Sequence, residues 1–176
     1  MLKIAITQPH FIFQEASRIA DLLEGDIDLL HLRKPEAKEE KVAHLIEAIP
    51  ERYRGRIIIH EIHHLAIRYQ LGGIHLNDKH PFPPEGYSGS ISRSCHTLDE
   101  VKRYKEHCNY LFLSPIYNSI SKQGYSSSFT REELTRAKEA GIIDHRVIAL
   151  GGVTRESFSE LQQLGFGGGA MLGCIW

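Results

Sequence analysis

An imidazole and a guanidinium two residues apart, His31 and Arg33, share one face of an extended segment because strand side chains alternate. Such a pair can bind an anion and move a proton. Comparable groups recur along the 176-residue chain: His60-Glu61, then His75, Asn77 and Asp78, then Ser92, Ser94 and His96. Gly151-Gly152 and Gly173 offer backbone N–H groups without side-chain cover, the means by which a loop cradles phosphate. Ahead of them, a long polar stretch carries Ser119, Ser121 and Lys122, hydroxyls and an ammonium suited to hold a diphosphate or to close over substrate. His60-Glu61-Ile62-His63-His64 also fits H-E-x-x-H, which in zinc hydrolases needs both histidines on one helical face. The β-branched Ile57-Ile58-Ile59 just before it reads as a strand ending at His60, so zinc hydrolysis is not expected.

These groups need elements to position them. Short β-branched runs at residues 2–7, 27–33, 56–60, 73–76, 89–94, 110–114, 146–150 and 168–172 are predicted strands. Val42, Leu45, Ile46 and Ile49 place one apolar stripe on a helix after the second strand. Thr97-Leu98-Asp99-Glu100 and Thr130-Arg131-Glu132-Glu133 read as capping boxes that start two more, and a further helix is expected near Thr154. Pro81, Pro83 and Pro84 argue against a full helix in the fourth connection. Strands separated by helices require a parallel sheet, and eight such units favour a closed barrel over an open doubly wound sheet. The expected fold is therefore a compact α/β TIM (β/α)8 barrel, one domain over residues 1–176, whose last helix is missing. That leaves the gap outside the first and eighth strands to a continuation of the chain past Trp176 or to a partner such as a second copy in a homodimer. In such barrels the active site stands at the carboxyl ends of the strands, where the polar residues above gather, and phosphate is commonly held after strands seven and eight.

Composition narrows the function. The 21 basic and 22 acidic residues give a formal charge of −1, which argues against nucleic acid or an anionic membrane surface as partner. Nowhere do eighteen apolar residues run together, and the start is too strand-like for a signal segment. Cys95, Cys108 and Cys174 lack CxxC spacing and are read as reduced thiols, so the expected location is cytoplasmic.

Taken together, the motifs resemble the thiamine phosphate synthase family and its relatives the thiazole tautomerases, both small TIM barrels. Leu30-His31-Leu32-Arg33 is similar to the family's second-strand motif, Gly73-Ile74-His75-Leu76 to its fourth and Ile91 to Thr97 to its fifth. Asn109 to Tyr117 closely resembles the sixth, and Val147 to Val153 the phosphate loop. Ser119-x-Ser121-Lys122 stands where the synthases carry a diphosphate clamp.

As a synthase, the chain would join hydroxymethylpyrimidine diphosphate to thiazole phosphate and release diphosphate. The resemblance then implies that Ser94 contacts the pyrimidine and that Arg33 and Lys122 hold the diphosphate. Mg²⁺ would rest on Glu61, with Asp78 substituting for the second family aspartate, whose position is His80. His31, His96, Ser119, Ser121, Gly151, Gly152 and Gly173 would bind substrate or its phosphate. Pro35 stands where the synthases have a lysine, a role that would pass to Lys34. Two alternatives follow from the same resemblance. A thiazole tautomerase would need no metal, but Pro115 replaces its catalytic histidine, so His96 or His31 would have to act as base. A non-catalytic barrel would keep the glycines and bind thiazole or thiamine phosphate.

Overall fold

The computed structural model describes residues 1–117 and 128–176. Eight strands follow one another as β1 (Leu2–Ile6), β2 (Leu29–Leu32), β3 (Ile57–Ile59), β4 (Gly73–Leu76), β5 (Ser90–Cys95), β6 (Tyr110–Leu113), β7 (Val147–Leu150) and β8 (Gly168–Met171). They are ordered β1 to β8 in a closed barrel, and the ladders β1–β2, β2–β3, β3–β4, β5–β6, β6–β7 and β7–β8 are parallel. The α/β TIM-barrel class expected from the spacing of apolar runs is the fold observed.

Helices α1 (Glu15–Glu24), α2 (Glu39–Ala48), α3 (His64–Arg68), α4 (Leu98–Tyr104), α5 (Arg131–Glu139) and α6 (Phe158–Gln163) lie between the strands. In α2 the stripe of Val42, Leu45 and Ile46 is buried. Both capping boxes are present: Thr97 Oγ1 accepts from Glu100 N–H at the start of α4, and Thr130 Oγ1 from Glu133 N–H at the start of α5. The stretch after Thr154 opens as a 3₁₀ turn, Arg155–Ser157, before α6. No helix occupies residues 77–89.

Strand ends deviate from the expected ones for identifiable reasons. The second strand begins two residues late because Ile27 N–H still bonds back to Leu22 O at the close of α1. It stops before Arg33 because that N–H is taken by a side chain, Thr7 Oγ1, at 2.9 Å.

The contacts divide the chain into two compact units, Ile4–Ile91 and Met1–Lys3 with Ser92–Trp176. The first buries Ile4, Leu30, Leu32, Ile57, Ile59 and Ile74 completely or nearly so. The second does the same with Cys95, Leu111, Phe112, Leu113, Val147 and Ile148. In this second unit Lys105, largely buried, donates through Nζ to Asp144 Oδ2 at 3.0 Å and to Gly141 O at 2.9 Å.

Partial burial pulls the Asp144 carboxyl upward, but the Arg146 N–H, the Lys105 ammonium and the Arg146 charge outweigh it and hold the group below its ordinary value of 3.8. A carboxylate with a lowered folded pKa stabilises the fold above its unfolded value, and that contribution disappears as pH falls through the folded value. Asp144→Asn should cost about 1–3 kcal/mol at neutral pH, because it leaves a buried ammonium without its counter-charge. In urea denaturation the gap between the two proteins should narrow only below about pH 4. Equal midpoints at pH 7 would show that the pair contributes nothing.

Candidate active site

In the Ile4–Ile91 unit, the loops after β1, β2 and β3 are tied to one another by few groups. Thr7 Oγ1 accepts from Arg33 N–H and donates to Arg33 O at 3.1 Å, so the end of β1 is clamped to the end of β2. The next residue, Lys34, has a 1% exposed side chain whose ammonium donates to Gln8 O and His10 O at 2.8 Å and to Glu15 Oε1 at 2.6 Å. An ammonium carries three protons, and all of them are used. The other Glu15 oxygen accepts from Ile12 N–H, which folds the loop onto the first turn of α1. Burial lowers the Lys34 pKa while Glu15 opposes the shift. Lys34 is therefore a positioning residue, and it has no proton left for the diphosphate role that the lysine-to-proline exchange at Pro35 would pass to it.

Lys34 N–H also donates to Glu61 Oε2 at 3.1 Å, which fixes Glu61 directly after β3. Glu61 is half-buried, and burial pushes its carboxyl above the ordinary range against the pull of the Lys34 N–H and the Arg33 charge. Arg33 is partly exposed, and among the described residues its guanidinium makes no hydrogen bond or ion pair. Asp78 is exposed in the turn after β4, beside Asn77, whose Oδ1 accepts from the N–H groups of Lys79 and His80. Carboxylate oxygens are the donors Mg²⁺ selects, and it is usually held by one or two of them with the remaining positions left to water and substrate phosphate, so Glu61 and Asp78 suit it chemically.

His31 lies deeper. It is fully buried, with Nδ1 at 2.9 Å from His60 Nε2, and its ring is edge-on to those of His60 and His75. His60 and His75 are stacked at 4.2 Å between centroids. Burial, then the neighbouring His75, holds His31 well below its usual pKa. His60 is lowered by burial and by His75, His31, Arg33 and His63. Below them His63 Nε2 meets two carbonyls, His60 O at 2.7 Å and His75 O at 3.1 Å, so this nitrogen must carry the proton. His64, the second histidine of the H-E-x-x-H pattern, instead pairs with Glu39 on the surface. His60 and His64 do not share a helix, as the strand-like context implied.

In the other unit, His96 Nδ1 lies 3.2 Å from Ser114 O and 3.3 Å from Ser114 Oγ, at the ends of β5 and β6. His96 is exposed, with its N–H on Glu100 Oε2, and Ser94 is partly exposed on β5. Gly151 and Gly152 follow β7 with φ of +94° and +64°, a backbone conformation that favours glycine. A Cβ on Gly151 would stand 2.8 Å from Pro115 Cα, so this turn requires glycine on space as well. The segment after β6 is laid along it by Ile116 N–H to Leu150 O and Tyr117 N–H to Gly151 O. Among the described residues, the N–H groups of Gly151, Gly152 and Gly173 donate to no protein acceptor. They stand at the carboxyl ends of β7 and β8 with donors to spare. The helical turn that follows is too short to add much dipole, so an anion here would rest on the glycine N–H groups themselves. Ser119, Ser121 and Lys122 lie outside the described residues.

Polar side chains and backbone donors at the carboxyl ends of the strands of a closed parallel barrel stand where (β/α)8 enzymes place their active sites. The family model described as thiamine monophosphate synthase matches residues 4–175, and the chain belongs to that family. The thiamine-phosphate synthase of Flavobacterium johnsoniae is 25% identical over 185 residues, an alignment covering 97% of this chain and 86% of that protein. A crystal structure of thiamine phosphate pyrophosphorylase from Bacteroides thetaiotaomicron superposes with a TM-score of 0.90 at 42% identity, covering 98% of this chain and 83% of that one. The Pyrococcus furiosus thiamine phosphate pyrophosphorylase shares the fold, with a TM-score of 0.78 at 17% identity over 97% of this chain and 85% of that one.

The buried Lys34–Glu15 pair gives a direct test of how these loops are held. Lys34→Met should cost about 3–5 kcal/mol because it strands a buried carboxylate, whereas Lys34→Met with Glu15→Leu should recover much of the loss. Urea denaturation of the parent, single and double variants decides it, and a single variant as stable as the parent would refute the clamp.

Proposed function

We propose that the chain is a thiamine phosphate synthase that joins hydroxymethylpyrimidine diphosphate to thiazole phosphate and releases diphosphate. The observation that carries the reading is family membership across residues 4–175, together with unused glycine N–H groups at the ends of β7 and β8. The thiazole phosphate would rest on Gly151, Gly152 and Gly173, because backbone donors bind phosphate without a competing side chain. Ser94 would meet the pyrimidine, and His31, His96, Ser119 and Ser121 are the remaining candidates around the substrates. His31 could act only through the residues above it, since its own ring is enclosed.

Charge builds on the departing diphosphate, so groups that oppose it stabilise the transition state more than the ground state. Arg33 has the free guanidinium for this, held at the β2 end by the Thr7 clamp. Lys122 is the second candidate. Glu61 and Asp78 would hold Mg²⁺, which when bound would neutralise diphosphate charge. The small phosphorylated substrates, the absence among the described residues of any helix long and apolar enough to cross a membrane, and a near-neutral net charge fit a cytoplasmic biosynthetic enzyme.

One assay should measure both transfer and exchange of the thiazole carboxylate phosphate's mobile proton, with and without Mg²⁺. Transfer that requires Mg²⁺ is expected, with proton exchange at the background rate. Lys122→Ala should lower transfer by about 10²- to 10³-fold, the usual contribution of one positioned electrostatic group. Glu61→Gln should also slow it sharply, and thiazole phosphate affinity should barely move in either variant. Metal-independent transfer would remove Glu61 from its role. Rapid proton exchange without transfer would make the protein a tautomerase.

A further inference from the structure

We propose that His31, His60 and His75 form a site for one divalent transition-metal cation of the zinc type, separate from the Mg²⁺ position at Glu61 and Asp78. Each histidine comes from one of three consecutive strands or strand ends, and a nitrogen from each lies within 4.8 Å of the other two. Among the described residues this is the one group of three metal-ligating side chains so placed.

The strand register explains the convergence. Ile59 is paired with Ile74, so one step further along the same parallel register sets His60 against His75. His31 is paired with Ile58, one strand away on the other side. Rings on β2 and β4 reach each other past β3 at 5.2 Å between centroids, which only the concave side of a curved sheet allows.

Burying three polar rings requires their nitrogens to be partnered, and among the described residues none of the three is left as a buried orphan. These rings are 0%, 4% and 0% exposed, on the face of the sheet opposite to Leu30, Leu32, Ile57, Ile59, Ile74 and Leu76, with which they alternate along the strands. Three imidazoles carry six ring nitrogens, each needing a partner once removed from water. A hydrophobic trio of the same volume would have avoided that demand. Neutral imidazole is the form a transition cation binds, and burial favours it here. His63 ties the main chain at the ends of β3 and β4 together, since its ring holds the backbone carbonyls of His60 and His75.

Occupation needs small, definable movements. The 2.9 Å His31–His60 contact is a hydrogen bond in which one ring donates. On binding, that ring moves its proton to its other nitrogen, so both facing nitrogens present lone pairs and no net proton is released. Zn–N distances of about 2.0–2.1 Å at tetrahedral angles place ligand nitrogens roughly 3.3 Å apart, so this pair opens slightly. The stacked His60 and His75 rings must also tilt until their in-plane lone pairs meet. Three histidines leave a fourth position for water, as in sites where zinc is open to exchange.

The test uses untagged, chelator-treated full-length protein and Co²⁺ as a spectroscopic probe, followed by competition with Zn²⁺. One equivalent of Co²⁺ should give the visible bands of a four- or five-coordinate histidine site, and Zn²⁺ should abolish them and raise the melting temperature. His75→Phe and His60→Gln, each checked for native circular dichroism, should weaken Co²⁺ affinity by more than about 100-fold, beyond what losing an outer-shell partner costs. His64→Ala, on the surface, should change nothing. Either of two results would overturn the site: parent protein that binds no Co²⁺ at micromolar concentration, or binding that persists in both cluster variants. A sulfur-to-cobalt charge-transfer band would also overturn it, by moving the metal to Cys108 or Cys174.

Discussion

The buried ammonium of Lys34 is the point on which the first unit's functional end depends. Its three protons hold two carbonyls of the loop after β1 and the carboxylate that begins α1, while its own backbone N–H holds Glu61 after β3. A charge so enclosed is tolerable only because every proton is paired. Once it is fixed, its neighbours are fixed too. Arg33, one residue before, has its backbone held by the Thr7 clamp, and among the described residues its guanidinium makes no hydrogen bond or ion pair. The fold thus uses one cation for structure and leaves the adjacent one available for the role we propose.

The second unit presents a different feature at its strand ends, a glycine turn with backbone donors. Gly151 is obligatory twice over, by its positive φ and by the approach of Pro115. Among the described residues, the same turn leaves N–H groups unpaired, and an unpaired backbone donor is costly unless water or a ligand takes it. The phosphate site we propose would thus follow from how the strand must end.

Much of this was legible in the sequence. The eight apolar runs, the two Thr-x-x-Glu caps and the proline-rich fourth connection report local preferences, and local preferences decided them. Strand ends were less legible, because Thr7 and Leu22 captured N–H groups that a periodicity count assigns to the ladder. Lys34 could be read as a substrate ligand, since nothing in its neighbourhood in sequence announces Glu15, nineteen positions away. His31 was singled out for its spacing from Arg33, yet its depth depends on a register that only pairing reveals. The signal for the cluster was present in a different form: three successive strands each carry a histidine at or next to their carboxyl end. The H-E-x-x-H pattern concealed it by suggesting His60 with His64, when His60 belongs with His75.

The most direct measurement of whether this barrel end handles a phosphorylated thiazole is a crystal structure with thiazole phosphate bound. The phosphate oxygens should lie about 2.7–3.2 Å from the backbone nitrogens of Gly151, Gly152 and Gly173, the range of a formed N–H to oxygen hydrogen bond. A ligand whose phosphate is held by side chains elsewhere, with those three N–H groups still hydrated, would contradict the assignment of the site.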